Sequence, residues 1–214
     1  MKIVISESQY NKILKEEKEQ KVLHIPSMKI FSGDWDLLQK FLKHRGNPPY
    51  SIGGNLNLVG LRVESLRSLV SVEKDLYAYD TPLESLGNLT SVGGLMDLSH
   101  TPLESLKNLT YVGGSLILKD TPIKSLGNLQ TVGDYLDLEG TLIKSLENLQ
   151  SVGSSLNLRG IQIKSLGNLQ SVGGDLDLVG TPLSKMYTKS QIRGMVNVGG
   201  EIYFLSVGKS IFKS

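Results

Sequence analysis

The residues that could do chemistry in this chain are three histidines, a recurring serine and a set of aspartates. His24 and His44 lie in the first fifty residues, and His100 stands alone in the middle of the chain. A metal centre needs several ligands at short, regular spacing, and histidines so scattered do not supply one. Cysteine is absent. That excludes a thiol nucleophile, a disulfide scaffold, an iron–sulfur cluster and cysteine-ligated zinc. Ser65, Ser85, Ser105, Ser125, Ser145 and Ser165 recur every twenty residues. None falls in a motif with a His and an Asp that would make it a nucleophile. No catalytic residue, metal ligand or cofactor is expected, and the chain reads as a non-enzyme.

Asp75, Asp97, Asp137, Asp175 and Asp177 fall at outward strand positions, with Asp80 and Asp120 just beyond. Calcium-binding β-rolls place their Asp in the turn of a glycine-rich nonapeptide, whereas here the glycines precede a strand. These carboxylates read as solvated groups that keep a sheet soluble. The Gly-Gly pairs also lack the frame of a phosphate-binding loop.

Charge narrows the partners. The 214 residues are 39% hydrophobic and 21% charged, the makeup of a globular chain rather than a membrane, collagenous or disordered one. The opening "MKIVISESQYNKILKEE" turns charged after four apolar residues, unlike a secretory signal, so a cytoplasmic location is expected, or a virus particle assembled there. The net charge of +2 hides a partition: nine Lys/Arg against six Asp/Glu in 1–50, nine against fourteen in 51–180, five against one in 181–214. An acidic middle argues against a nucleic-acid face.

What positions these residues is a repeat of twenty. The segments "SVGGLMDLSHTPLESLKNLT" (91–110), "YVGGSLILKDTPIKSLGNLQ" (111–130), "TVGDYLDLEGTLIKSLENLQ" (131–150) and "SVGSSLNLRGIQIKSLGNLQ" (151–170) share one frame. The frame also fits 51–70 and 71–90, and it begins again at 171. In the 111–130 unit the apolar positions are Val112, Leu116, Leu118, Ile123, Leu126 and Leu129, with Thr121 a semi-polar seventh. The step of two from Leu116 to Leu118 is that of a strand with one buried face. Steps of three from Ile123 onward predict an extended or 3₁₀-like return segment instead of an α-helix. No unit buries its apolar side alone, so units stack and their strands form a parallel sheet along a solenoid. Eight strands are predicted, at 55–59, 75–79, 95–99, 115–119, 135–139, 155–159, 175–179 and 201–205. The Gly-Gly pairs at 53–54, 93–94, 113–114 and 173–174 mark corners where positive φ or close coil contact excludes a Cβ.

The run "LILKDTPI" carries an L-x-L-x-x-(N/T)-x-(L/I) core, and through it the unit resembles a short bacterial or viral variant of the leucine-rich repeats. The resemblance implies an α/β, right-handed repeat solenoid that serves as a binding scaffold. Thr81, Thr101, Thr121, Thr141 and Thr181 stand where the family has Asn, with Leu61 and Ile161 departing. A Thr hydroxyl can take over part of the family ladder between backbone groups of adjacent coils. Asn88, Asn108, Asn128, Asn148 and Asn168 are expected to cap the opposite corner.

Both ends read as caps. Ser6 with Gln9 forms a capping box and Ile5 with Tyr10 a staple, predicting a helix over about 7–20. A second helix over about 34–45 carries Trp35, Leu38, Phe41 and Leu42 on one face and ends at Gly46. At the other end "NVGGEIYF" (197–204) aligns with "SVGGDLDL" (171–178) after a six-residue insertion, and Thr188 with Gln191 predicts a short helix over about 189–195. The organisation is thus a helical cap over 1–50, repeats over 51–180 and a second cap over 181–214, with self-association through the basic caps one expectation.

Only four aromatics fall within the repeats, Tyr77, Tyr79, Tyr111 and Tyr135. Tyr77, Tyr79 and Tyr135 project from the strand face, which they share with Val59, Leu95 and Ile117. Tyr and aliphatics ringed by Asp97, Asp137 and other polar residues have the makeup of a protein-recognition patch. The repeat of Tyr77 and Tyr79 is also the most irregular, with Glu73-Lys74 for Gly-Gly and Ala78 for the inner Leu. A charge column, Glu64, Glu84, Glu104, Lys124, Lys144, Lys164, changes sign halfway along the return segments. The units and the closing "TPLSKMYTKSQIRGMVNVGGEIYF" are similar to small leucine-rich-repeat proteins of tailed bacteriophages, as is "IVISESQYNKIL" to the starts of other phage proteins. That resemblance implies a protein that binds a host or phage protein, or a structural or decorating part of the particle; carbohydrate binding is a further reading of Tyr and Asp on one face.

Overall fold

The computed structural model describes residues 22–204, so the helix expected over 7–20 lies outside the described residues. Each coil adds a strand to two parallel sheets, where one was expected. The eight-stranded sheet runs from Leu56–Asn57 to Ile202–Tyr203 in coil order, its strands falling inside the predicted ranges but two residues long where five were expected. The nine-stranded sheet runs from Leu23–Ile25 through Tyr50–Ile52 and Leu69–Val72 to Asn197–Val198. Its repeat strands, such as Tyr111–Val112, lie just ahead of the predicted corners. The physical reason is context: Leu116 is followed by a second buried residue at Leu118, whereas past Val112 the chain enters the Gly-Gly corner and leaves no alternation to read. Register is regular through the repeats, Leu136 pairing with Leu116 on one side and Leu156 on the other, and shifts by one residue between Tyr50 and Ser51 where Tyr50–Ile52 pairs with Leu69–Val72. Three isolated bridges, Ser65 with Ser85, Ser105 with Ser125 and Ser145 with Ser165, run along the return segments, in keeping with their extended character.

The expected α/β solenoid is therefore a parallel β-solenoid with few helices. Helix α1 (Trp35–His44) forms one residue inside each predicted end; Asp34 caps it by accepting from the Leu37 N–H at 2.9 Å, and it buries Trp35, Leu38 and Leu42. Helix α2 (Leu183–Met186) is a single unpredicted turn. Helix α3 (Lys189–Met195) has the predicted bounds, and the predicted capping box is formed by Thr188 and Gln191. Arg193 ties α3 to the last corner, donating to the Val198 and Gly200 carbonyls at 2.8 Å each.

The core is one apolar column. Leu116, Leu118, Ile123, Leu126, Leu129 and Val132 are fully buried, and so are their equivalents in the neighbouring coils. The Gly-Gly corners owe their composition to packing, since neither residue of the pair takes positive φ. A Cβ on Gly113 would overlap the Gly93 carbonyl oxygen, and the same holds for Gly133 on Gly113, Gly153 on Gly133 and Gly173 on Gly153. The first glycine of each pair thus stacks backbone on backbone. The second position accepts Asp134 and Ser154.

Two expectations about polar ladders are corrected. The threonines bond inside their own coil instead of between coils: Thr101, Thr121, Thr141 and Thr181 donate to the carbonyls of Leu98, Leu118, Leu138 and Leu178 at 2.7–2.8 Å. Of the corner asparagines, Asn148 donates to the Gly127 carbonyl at 2.9 Å. The left-handed corner itself falls one residue earlier, at Arg67, Gly87, Lys107, Gly127, Glu147 and Gly167. The recurring serines stabilise that corner: Ser65, Ser85, Ser105, Ser125, Ser145 and Ser165 each accept from the N–H two residues on, at 3.0–3.2 Å.

Candidate recognition face of the eight-stranded sheet

Three rows of side chains face outward from this sheet. One precedes the strands: Asn55, Asp75, Leu95, Ser115, Tyr135, Ser155, Asp175 and Glu201. The second is the register row Asn57, Tyr77, Asp97, Ile117, Asp137, Asn157, Asp177 and Tyr203. The third follows the strands and includes Val59, Tyr79 and Lys119.

Most of these side chains hold the backbone. In the first row the side chain of one coil accepts from the N–H of the same position in the next. Asp75 accepts from Leu95 at 2.9 Å, Ser155 from Asp175 at 3.0 Å and Asp175 from Glu201 at 2.7 Å. In the register row the side chain accepts from the N–H two residues on, closing a small Asx turn. Asn57 does so for Val59 at 3.0 Å, Asp97 for Ser99 at 3.0 Å, Asp137 for Glu139 at 3.1 Å and Asp177 for Val179 at 2.8 Å.

Four residues in these rows leave a described N–H uncapped in this way, and Tyr203 takes the place of a fifth capping residue. Leu95 and Tyr135 interrupt the first row; Tyr77, Ile117 and Tyr203 interrupt the second. Leu and Ile have no acceptor, and a Tyr hydroxyl sits at the far end of its ring from the backbone. Tyr77, Leu95, Ile117 and Tyr135 come from four successive coils and alternate between the two rows. At roughly 4.8 Å per coil they make a zigzag apolar stripe on the order of 14 Å long. Tyr79, 36% exposed, follows Tyr77 on the outward side, with Val59 one coil before it. The structure thus brings Tyr77, Leu95, Ile117 and Tyr135 together, sets Tyr79 and Val59 beside them, and interleaves Asp97 and Asp137. Asp137 is buried, its Oδ1 accepting also from Asn157 Nδ2 at 2.9 Å.

Sequence reasoning left out Tyr203. Its signal was present in the alignment of "GGEIYF" with "GGDLDL", which puts Tyr in the place of a capping Asp. A shallow groove of about 200 Å³ runs between Tyr135 and Tyr203, with Ser155, Asn157, Asp175 and Asp177 among its walls. Arg159 pairs with Asp177 at 2.9 Å beside it.

The face is acidic around its tyrosines, and their titration reflects it. Loss of water around the ring and then the Asp75 carboxylate, to which its hydroxyl donates at 3.3 Å, hold Tyr77 above the ordinary value. Burial and then Asp137 do the same for Tyr135. For Tyr203 the Asp175 charge comes first and loss of water second. All three stay neutral at physiological pH, the Tyr77 and Tyr203 hydroxyls donating to Asp75 and Asp175.

The histidines have local settings. His24 lies 3.2 Å from Ser51 Oγ, His44 Nδ1 donates to the Lys40 carbonyl at 2.7 Å, and His100 occupies a left-handed corner 3.9 Å from Asp120. Among the described residues no three His, Cys, Asp or Glu gather where a metal ion could be held, and no helix is long and apolar enough to cross a membrane. Set against known proteins, the chain matches no family model, no curated protein and no solved structure.

Proposed function

We propose that the chain is a non-catalytic binding module that engages a protein partner through the stripe of Tyr77, Leu95, Ile117 and Tyr135, with Tyr79 and Val59 beside it and Asp97 and Asp137 interleaved. The observation that carries this reading is the loss of backbone caps at the stripe: residues that hold the backbone elsewhere are replaced by apolar and aromatic ones that do not. Side chains of that kind in a polar surround are what anchors an interface. The repeat is best taken as a short, right-handed leucine-rich-repeat variant between helical caps, and its resemblance to tailed-phage proteins makes the partner a host or phage protein met in the host cytoplasm. Service as a decorating component of the particle is the alternative within this reading.

The test is capture from host lysate by the wild-type chain and by Tyr77→Ala/Tyr79→Ala. Loss of two anchors weakens capture at least about tenfold. Capture at unchanged affinity overturns the site. Carbohydrate binding is a second reading, favoured by the groove where Tyr135 and Tyr203 flank Asp175 and Asp177. It predicts that Tyr203→Ala abolishes retention on immobilised glycans.

A further inference from the structure

The return segments carry charges that the strand face does not use. Glu64, Glu84, Glu104, Lys124, Lys144 and Lys164 occupy one position in six successive coils, and all are exposed. Their stacking is direct: the N–H groups of Glu84, Lys124 and Lys164 donate to the carbonyls of Glu64, Glu104 and Lys144, each at 2.9 Å. Where the sign changes, Lys124 Nζ meets Glu104 Oε1 at 2.8 Å. The coil spacing of about 4.8 Å is shorter than the Debye length at physiological salt, so each half of the row repels itself. Turned end over end, the row is its own complement.

We infer that this edge is an interface between two copies of the chain, packed antiparallel about a twofold axis passing between the Glu104 and Lys124 coils. That axis sets Glu104 against Lys124 of the second copy, Glu84 against Lys144 and Glu64 against Lys164, a self-complementary contact. A parallel pairing would set Glu against Glu and Lys against Lys, so the charges select the orientation together with the partner. The outward row two residues earlier adds apolar contact. The same axis places Pro102 against Pro122, and Pro82 against Leu142, whose side chain is among the most exposed large apolar groups of the described residues. The strip is narrower than permanent interfaces require, so the dimer is weak and salt-dependent.

Sedimentation equilibrium of the full chain tests this, at protein concentrations on the order of 100 µM suited to a weak contact. Wild type is a dimer at about 20 mM salt and a monomer at about 500 mM. Lys124→Glu/Lys144→Glu/Lys164→Glu and Glu64→Lys/Glu84→Lys/Glu104→Lys are each monomeric at both, and their equal mixture dimerises at low salt. Leu142→Asp, which leaves the charge row intact, weakens the wild-type dimer. Circular dichroism establishes that each variant folds. A wild-type chain monomeric at low salt overturns the inference, as does a folded all-acidic variant that still dimerises. Tyr77→Ala/Tyr79→Ala leaves the dimer unchanged, which separates this interface from the strand face.

Discussion

Thr121 is 1% exposed, and its hydroxyl donates to the Leu118 carbonyl at 2.7 Å inside the same coil. Val has the same shape without the hydroxyl. Thr121→Val therefore costs up to about 1 kcal/mol in urea unfolding, because the Leu118 carbonyl loses the shorter of its two bonds and keeps only the Thr121 N–H at 3.2 Å. The glycine column is less tolerant. Gly113→Ala drives a Cβ into the Gly93 carbonyl and costs roughly 2–4 kcal/mol. Gly160→Asn is the contrasting case: the position has φ +73° with open space around a Cβ, and other coils place Asp80, His100 and Asp120 there. Its cost stays below about 1 kcal/mol. The need for glycine was legible in the pairing itself. Which glycine stacks on the coil before it was not, because a clash between backbones of different coils leaves no mark within one unit. The Thr bond was misplaced for a related reason, since a hydroxyl can donate to its own coil or the next and composition does not distinguish them.

At the level of elements, local signals were legible and pairing signals were not. Thr188 and Gln191 announce α3 because both halves of a capping box lie within four residues. The second sheet was missed because Ser-Val pairs gain strand character only from the coils on either side. The first coils also hold a buried phenol. Tyr50 is fully buried beneath α1, and Gln39 Nε2 donates to its hydroxyl at 3.2 Å. Burial pushes its pKa above the ordinary 10.0, outweighing that bond. The folded chain then keeps a proton that the unfolded chain releases, so this contribution is present below about pH 10 and lost as pH rises further. Unfolding followed from pH 8 to 11 shows stability falling above about pH 10 in wild type, and less steeply in Tyr50→Phe. The slope does not vanish in the variant, because Tyr77, Tyr135 and Tyr203 are shifted the same way.

For the whole molecule, a repeat scaffold separates what the fold needs from what it does not, because every coil repeats the same structural demand. Where most coils agree on a capping residue and a few depart, the departures have been released from that demand. The patch residues Tyr77, Leu95, Ile117 and Tyr135 were legible in the sequence as rare outward aromatics and aliphatics. Why they are exceptional was not, since the capping work of Asp75, Asp97 and Asp177 appears only when the backbone N–H groups they meet are located. The direct measurement is the urea unfolding free energy of Leu95→Asn/Tyr135→Asn, which gives the N–H groups of Ser115 and Ser155 the acceptors that other coils supply. If the stripe is there for recognition, the variant is as stable as wild type or gains up to about 1 kcal/mol. A loss of more than about 1.5 kcal/mol would mean that Leu95 and Tyr135 serve the fold, and the recognition face would have to be abandoned.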